Sequence, residues 1–335
     1  MPLDHLRADT FTPHPLHRDD RVWTQTNCYL DIWIEIAASL GLPPEPLGVC
    51  AYSAGTVPGA WAFLKAQTDD LRDLYGIEVA EINLWRTVEE HVLDHLGAGE
   101  LLTVESDAYY LPDTDGVSYG AERVKTTIVP VRVDPEARAM TYFHNSGLYA
   151  LQGDDYDGAL ALRDLPTCAP QPYVERVRLD GLVRDEAEIR RRATALAARH
   201  LARRPAGNPV ADLCDSVREV APTLPERGFA FFHLYSFTAT RQLGLTAQAA
   251  ADATRWLADG AADGDDPDRD SQPGLDADEL RTAAVDFDVV SQEMKNLQFA
   301  LARITGGRAR DLEPTLQRTT ERWGSAIDRV AAQLG

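Results

Sequence analysis

The sequence predicts an α+β protein, with helices and an antiparallel sheet in the first half and an all-helical second half. Three observations carry that expectation. Between residues 76 and 152, β-branched and aromatic residues alternate with polar ones, and turn sequences separate the stretches. Beyond about residue 170, apolar residues recur every three or four positions, with Ala and Leu abundant. At 335 residues the chain has room for two domains, each with its own core. We place them at residues 1–170 and 171–335.

The elements follow in order. Residues 1–22, rich in His, Pro and Asp, read as an extended arm. Residues 27–40 read as a helix: Leu30, Ile34 and Ala37 fall at helical spacing, and Gly41 stops it. A Pro-rich turn spans 42–46, and 61–65 is open between helix and loop. Residues 76–85 begin with strand-like alternation, and 87–96 form a short helix closed by Gly97 and Gly99. Strands are expected at 101–111, 124–133, 140–144 and 147–151, with turns at 112–116 and 134–137. Helices are expected at 186–203, 210–221, 228–243, 246–257, 276–304 and 312–334. Residues 260–274 read as an acidic connector within the helical domain.

Composition narrows the function. Hydrophobic residues make up 44% and charged residues 26%, as in ordinary soluble globular proteins. There are 53 Asp and Glu against 33 Lys and Arg, a net charge of −20. Nucleic-acid binding needs a basic footprint and is excluded. No secretory signal is visible at the N-terminus, and no apolar run approaches the roughly 18–20 residues of a membrane span. A cytoplasmic protein is expected. The cysteines (Cys28, Cys50, Cys168, Cys214) are scattered without a CxxC pair, which argues against zinc or a disulfide framework.

Cys28 draws attention first. It stands in the first turn of an apolar helix, after the polar run Thr24-Gln-Thr-Asn27. Helix N-termini favour the thiolate, so a nucleophile is one reading. A small buried core residue is the other. Glu105, Asp107 and Tyr109 share one strand face, with Tyr110 adjacent. Paired carboxylates there could hold a substrate ammonium or act as a base, or simply meet cations across the sheet. Asp113 and Asp115 are expected to shape a turn. Arg123 and Lys125 also share a face, suited to an anion or to salt bridges with Glu105 and Asp107. His144 and Asn145 end a strand and could form a base and its orienting partner, or pack in the core. Arg241, Lys295 and Gln298 lie in otherwise apolar helices, as a ligand site or as surface ion pairs. Arg184, Arg190, Arg191 and Arg192 form a basic run, a solvated face or a docking patch. His91 and His95 have i, i+4 spacing without a metalloprotease motif. No phosphate loop or dinucleotide fingerprint is present, and neither a metal nor a cofactor is expected.

Several stretches together resemble the bacterial DUF1839 family. They include His14-Pro-Leu-His17, Thr26-Asn-Cys-Tyr-Leu-Asp-Ile-Trp33 and Val104-Glu-Ser-Asp-Ala-Tyr-Tyr-Leu-Pro-Asp-Thr114. Tyr142-Phe-His-Asn-Ser-Gly147, Phe232-His-Leu-Tyr-Ser-Phe-Thr-Ala-Thr-Arg-Gln-Leu-Gly244 and Lys295-Asn-Leu-Gln-Phe-Ala-Leu-Ala-Arg303 continue the pattern. Members of that family occur beside stand-alone aminoacyl-carrier-protein ligases. The resemblance therefore implies natural-product work on a carrier-bound amino acid, with the carrier protein as partner. A partner protein or a homo-oligomer is also compatible with it.

The first half is loosely similar to butirosin-type acyltransferase domains of the papain/C39 fold. That similarity implies a papain-like domain and aminoacyl transfer through Cys28. In this order a His is expected just before Val124, where Arg123 stands. Two alternatives follow. One is displacement of sulfate or phosphate by an amine, closing a small nitrogen ring such as an aziridine. Asp107 or His144 would be the base, and Arg123 and Lys125 would receive the anion. The other is a non-catalytic carrier-binding scaffold.

Overall fold

Asn27 opens the first helix of the computed structural model, which describes residues 2–24, 27–162, 172–262 and 275–335. Its side-chain oxygen accepts from the Tyr29 and Leu30 backbone N–H groups, at 3.2 and 3.0 Å. Two otherwise orphaned donors are thereby satisfied. Helix α1 (Cys28–Ser39) therefore starts at the cysteine. Ahead of it, Pro15–His17 makes a 3-10 turn within the arm, and His17 is buried.

After α1 a 3-10 stretch, Glu45–Ser53, takes up part of the expected Pro-rich turn. A small antiparallel ribbon follows, β1 (Thr56–Val57) with β2 (Ala60–Trp61). Then come α2 (Thr68–Tyr75), β3 (Glu78–Glu81) and α3 (Val88–Gly97). Thr87 and Glu90 close the start of α3 with a reciprocal capping box. Strands β4 (Leu101–Asp107), β5 (Lys125–Asp134), β6 (Ala139–His144) and β7 (Gly147–Gln152) lie where alternation predicts them. Strand β4 ends at Asp107, short of the expected Leu111, because Ala108–Tyr110 turns into a 3-10 helix. Helix α4 (Asp154–Ala159) and β8 (Val174–Arg178) complete this part.

The sheet has the order β3-β8-β4-β5-β6-β7, antiparallel throughout. The late strand β8 slots between two early ones, with Val177 opposite Leu101 and both buried. The β5–β6 register shifts between Pro130 and Arg132, where proline removes a ladder donor. Helix α1 packs on β5 and β6. Its Leu30, Ile32, Trp33 and Ile36 are buried to 1% exposure or less. Each such aliphatic side chain contributes about 1.5–3 kcal/mol by leaving water.

The second half is helical: α5 (Glu186–Ala202), α6 (Pro209–Val220), α7 (Leu224–Ser236), α8 (Gln242–Ala262), α9 (Ala277–Thr305) and α10 (Glu313–Leu334). The two helices expected at 228–243 and 246–257 are redrawn. Helix α7 begins earlier, and a π-helical segment, Phe237–Arg241, leads into one long α8. Residues 163–171 and 263–274, which hold Cys168, the expected boundary and most of the acidic connector, lie outside the described residues. Among the described residues, no helix is long and apolar enough to cross a membrane.

Contacts divide the chain into two units, each built from three segments. The first holds residues 1–19, 27–44 and 71–184; the second holds 20–26, 45–70 and 185–335. In the second unit, Tyr52 stacks on Phe287, and Phe287 and Trp61 both meet Trp323 edge-on. The Trp61 Nε1–H donates to Thr246 at 3.0 Å, and the Tyr52 hydroxyl lies 2.8 Å from that of Thr254. Gly244 sits inside α8 because any side chain there would collide with the Trp23 indole.

Candidate functional site

The β5–β6 register sets Val129 opposite Phe143 and Pro130 opposite Tyr142. Continued by one residue, it puts His144 opposite Ile128, which shares its sheet face with Thr126 two residues away. The Thr126 hydroxyl lies 2.7 Å from His144 Nε2. On the other side of the ring, Nδ1 lies 2.5 Å from Asp113 Oδ2, and the Tyr142 hydroxyl donates to Asp113 Oδ1 at 2.5 Å. Asp113 comes from the 3-10 turn Pro112–Thr114. His144 is 2% exposed. The imidazole thus stands between a carboxylate at Nδ1 and a hydroxyl at Nε2. Burial, then the Asp113 charge and hydrogen bond, hold the Tyr142 phenol far above its usual range.

The chain of contacts continues to Cys28. The Thr126 hydroxyl and the Thr127 backbone N–H lie close to the Cys28 sulfur and lower its pKa. Burial is the larger effect, and with the nearby Asp31 carboxylate it raises the thiol above its ordinary value. The helix terminus thus does not leave a resting thiolate. The arrangement holds a protonated thiol, a hydroxyl, an imidazole and a carboxylate in series.

A second buried histidine lies in the same unit. His17 has Nδ1 at 2.5 Å from Glu35 Oε1 and Nε2 at 3.3 Å from Asp31 Oδ1. Burial alone would lower its pKa, but the hydrogen bonds and charges of Asp31 and Glu35 outweigh it and raise the pKa to about 9. Glu35 also accepts from the His14 backbone N–H, so the arm is fastened to α1 at two points.

The charged residues picked out in the sequence form a different cluster. Asp107 pairs with Lys125 in register, Glu105 with Thr127, and Ser106 with Thr126. Asp107, Glu105 and Lys125 therefore occupy the opposite sheet face from Thr126. Arg123 donates to Asp107 at 2.6 Å, and Lys125 to Glu105 at 2.5 Å. Asp107 also accepts from the backbone N–H groups of Tyr109 and Val124. The Arg123 guanidinium lies over the rings of Tyr109 and Tyr110 and reaches the Tyr110 hydroxyl. The cation side chains are 62% and 73% exposed. The face shared by Glu105 and Asp107 does not extend to Tyr109, which sits in the turn beyond β4.

Two further expectations are redrawn. Arg123 lies ahead of β5, and the β5 groups that reach Cys28 are Thr126 and Thr127. The partner of His144 Nδ1 is Asp113, whereas Asn145 takes a left-handed turn position, φ 48°, between β6 and β7. Arg241 and Lys295 belong to the second unit. Lys295 Nζ sits 4.4 Å above the Trp23 ring; burial, then repulsion from Arg241, lowers its pKa. Cys50 and Cys214 are buried core thiols. His91 accepts from the Trp85 N–H, and His95 lies 2.7 Å from Glu100. Among the described residues, no three His, Cys, Asp or Glu side chains are grouped to hold a metal.

Thr126 and Tyr142 were not singled out by sequence reasoning, and Asp113 was expected only to shape a turn. The available signal was Thr126, a polar residue at an inward strand position beside a histidine-bearing strand.

Fold and polar chain together define an α+β protein with a helix-start thiol backed by a histidine–carboxylate pair. Its family is DUF1839: the DUF1839 N-terminal domain matches residues 12–179 and the DUF1839 C-terminal domain residues 186–332, and the chain belongs to it. No curated protein matches the chain.

Proposed function

We propose that this protein transfers an aminoacyl group from a carrier-protein thioester through Cys28. The observation that carries this reading is the hydrogen-bonded series Asp113–His144–Thr126, with the Thr126 hydroxyl close to the Cys28 thiol. The carrier and the amino acid come from what the family resemblance implies. The papain-like reading of the first unit is part of the same proposal, supported by a thiol at a helix start beside a sheet-borne histidine.

Cys28 Sγ attacks the thioester carbonyl carbon. Its proton passes to the Thr126 oxygen as the Thr126 hydroxyl proton moves to His144 Nε2, and Asp113 stabilises the imidazolium. The tetrahedral adduct collapses, the bond to the carrier sulfur breaks, and the leaving thiolate recovers the proton from the relay. An amine then attacks the new Cys28 thioester, giving an amide and returning the thiol.

Ring-closing displacement is the second reading, and the raised Cys28 pKa favours it, because a resting thiol is a poor nucleophile. His144, through Thr126, would then deprotonate the substrate amine. Intact-protein mass spectrometry after incubation with an aminoacyl-loaded carrier separates the two. An adduct on the wild type that vanishes in Cys28→Ala, together with product formation, supports transfer. Full turnover by Cys28→Ala sinks transfer and leaves displacement. No turnover by the wild type with any loaded carrier leaves a binding scaffold.

A further inference from the structure

The second unit carries a surface whose charge runs against the rest of the molecule. Residues 227–241 and 294–310 together hold six Lys and Arg and no Asp or Glu, in a chain of net charge −20. The first segment covers most of α7 and the π-helical turn, and the second covers the end of α9. Helices α7 and α9 pack together. Their pairing is antiparallel: Phe229 lies against the Gly306 end of α9, and Arg241 lies near Lys295 at the other end. From 229 to 241 the strip is about 18 Å long, about three helical turns.

This strip also exposes large apolar side chains. Phe229 is 51% exposed, Leu234 71%, Phe237 38% and Phe299 57%. Cations border them: Arg227 lies over Phe231, Arg241 beside Phe237, and Lys295 between the rings of Trp23 and Phe299. Arg303, Arg308 and Arg310 extend the rim, and among the described residues none of these three forms an ion pair. The basic run noticed in the sequence differs. Arg190, Arg191 and Arg192 are paired with Glu186 and Glu188 of their own helix, and Arg184 donates to the Leu40 carbonyl.

We infer that the α7–α9 strip docks an amphipathic helix with acidic flanks, presented by a partner protein. The apolar ridge matches one face of such a helix, and the cations match its acidic flanks. A second copy of this chain fits poorly, because two-fold packing would set one basic rim against another. A flat anionic membrane fits poorly too. It would bring its charge against the acidic remainder of the molecule as well as against the strip. The inference takes the protein nature of the partner from the proposed function, but the surface stands without it.

The test is fluorescence anisotropy on the full chain with two stapled helical peptides. Both carry Leu at i, i+3, i+4 and i+7; one has Glu at the flanking positions and the other Lys. We expect the Glu peptide to bind saturably, at least tenfold more tightly than the Lys peptide, and more weakly as salt rises. Leu234→Asp with Phe299→Asp should lose this binding. Arg303→Glu with Arg308→Glu should weaken it at least tenfold and gain affinity for the Lys peptide. All four positions are exposed, and unchanged thermal melting confirms that the variants fold. Equal binding of both peptides, or no binding of the Glu peptide, overturns the inference. So does binding to phosphatidylserine vesicles in its place, or a concentration-dependent dimer that Phe299→Asp abolishes. The assay involves no reaction, so its failure leaves the Cys28 reading standing, and an inactive Cys28 leaves the docking surface standing.

Discussion

His17 and His144 are both buried in the first unit, and both meet carboxylates, yet their surroundings set them different tasks. His17 has a carboxylate at each ring nitrogen, Glu35 at one and Asp31 at the other. Both positions are taken by anions, so the ring is held as a cation and fastens the arm to α1. His144 has a carboxylate at one nitrogen and the Thr126 hydroxyl at the other. A hydroxyl both accepts and donates, so it passes a proton onward where a carboxylate would hold it. The lesson is that the second partner of a buried histidine decides between a clamp and a carrier.

The largest expected effect falls at the end of the carrier series. Cys28→Ala should abolish the covalent adduct with an aminoacyl-loaded carrier, read by mass spectrometry; an adduct that persists places the nucleophile elsewhere. Next is Thr126→Val, which keeps the volume and removes the hydroxyl. It should slow adduct formation about 100-fold, the scale of losing general-base assistance. Leaving His144 Nε2 unpaired should also cost about 1–3 kcal/mol of stability in urea unfolding. Thr126→Ser should restore most of the rate. If Thr126→Val matches the wild type in rate, the series carries no proton.

The clamp should respond to pH and not to substrate. Unfolded, His17 titrates near its ordinary 6.5; folded, near 9. Its contribution is therefore fully present below pH 6.5 and lost as pH rises through 9. It amounts to about 3 kcal/mol for a shift of this size. Unfolding of the wild type and His17→Gln from pH 6 to pH 10 should show a stability gap that narrows toward the alkaline end. A gap of constant size would mean that the ring is not held as a cation. Smallest of all should be Arg123→Ala and Lys125→Ala. Water screens these exposed pairs, and melting temperatures should stay where they are. A clear loss of turnover in either variant would return an anion-binding role to that face.

The elements were largely legible in the sequence, and the polar series was not. Asn27 and Cys28 are neighbours, so a local cap specifies where α1 starts. The strands from 101 to 152 announce themselves by alternation, which is also local. The 3-10 turn that cuts β4 short at Asp107 was missed, because Ala108-Tyr109-Tyr110 continues the alternating pattern. Cys28, Asp113, Thr126 and His144 come from a helix, a turn and two strands, and sheet register brings them together. A shift of one residue in β5 would turn Thr126 to the other face, and nothing in the linear pattern of 123–127 fixes that shift. This is why Arg123 stood in for Thr126, and why Asp113 looked like turn structure. β8 was hidden for the same reason: it pairs with strands some seventy and a hundred residues earlier.

The threading of the chain through its two units has a consequence for how the protein is made. Residues 45–70 leave the ribosome early, yet Tyr52 and Trp61 complete their core with Thr246, Thr254, Phe287 and Trp323. Until some three-quarters of the chain has been synthesised, these aromatic side chains have no core to enter. The order of synthesis and the order of folding are thus out of step. A nascent chain stalled near residue 230, with the first unit's strands all emerged, should be cut by protease within 45–70 while strands β3–β8 resist.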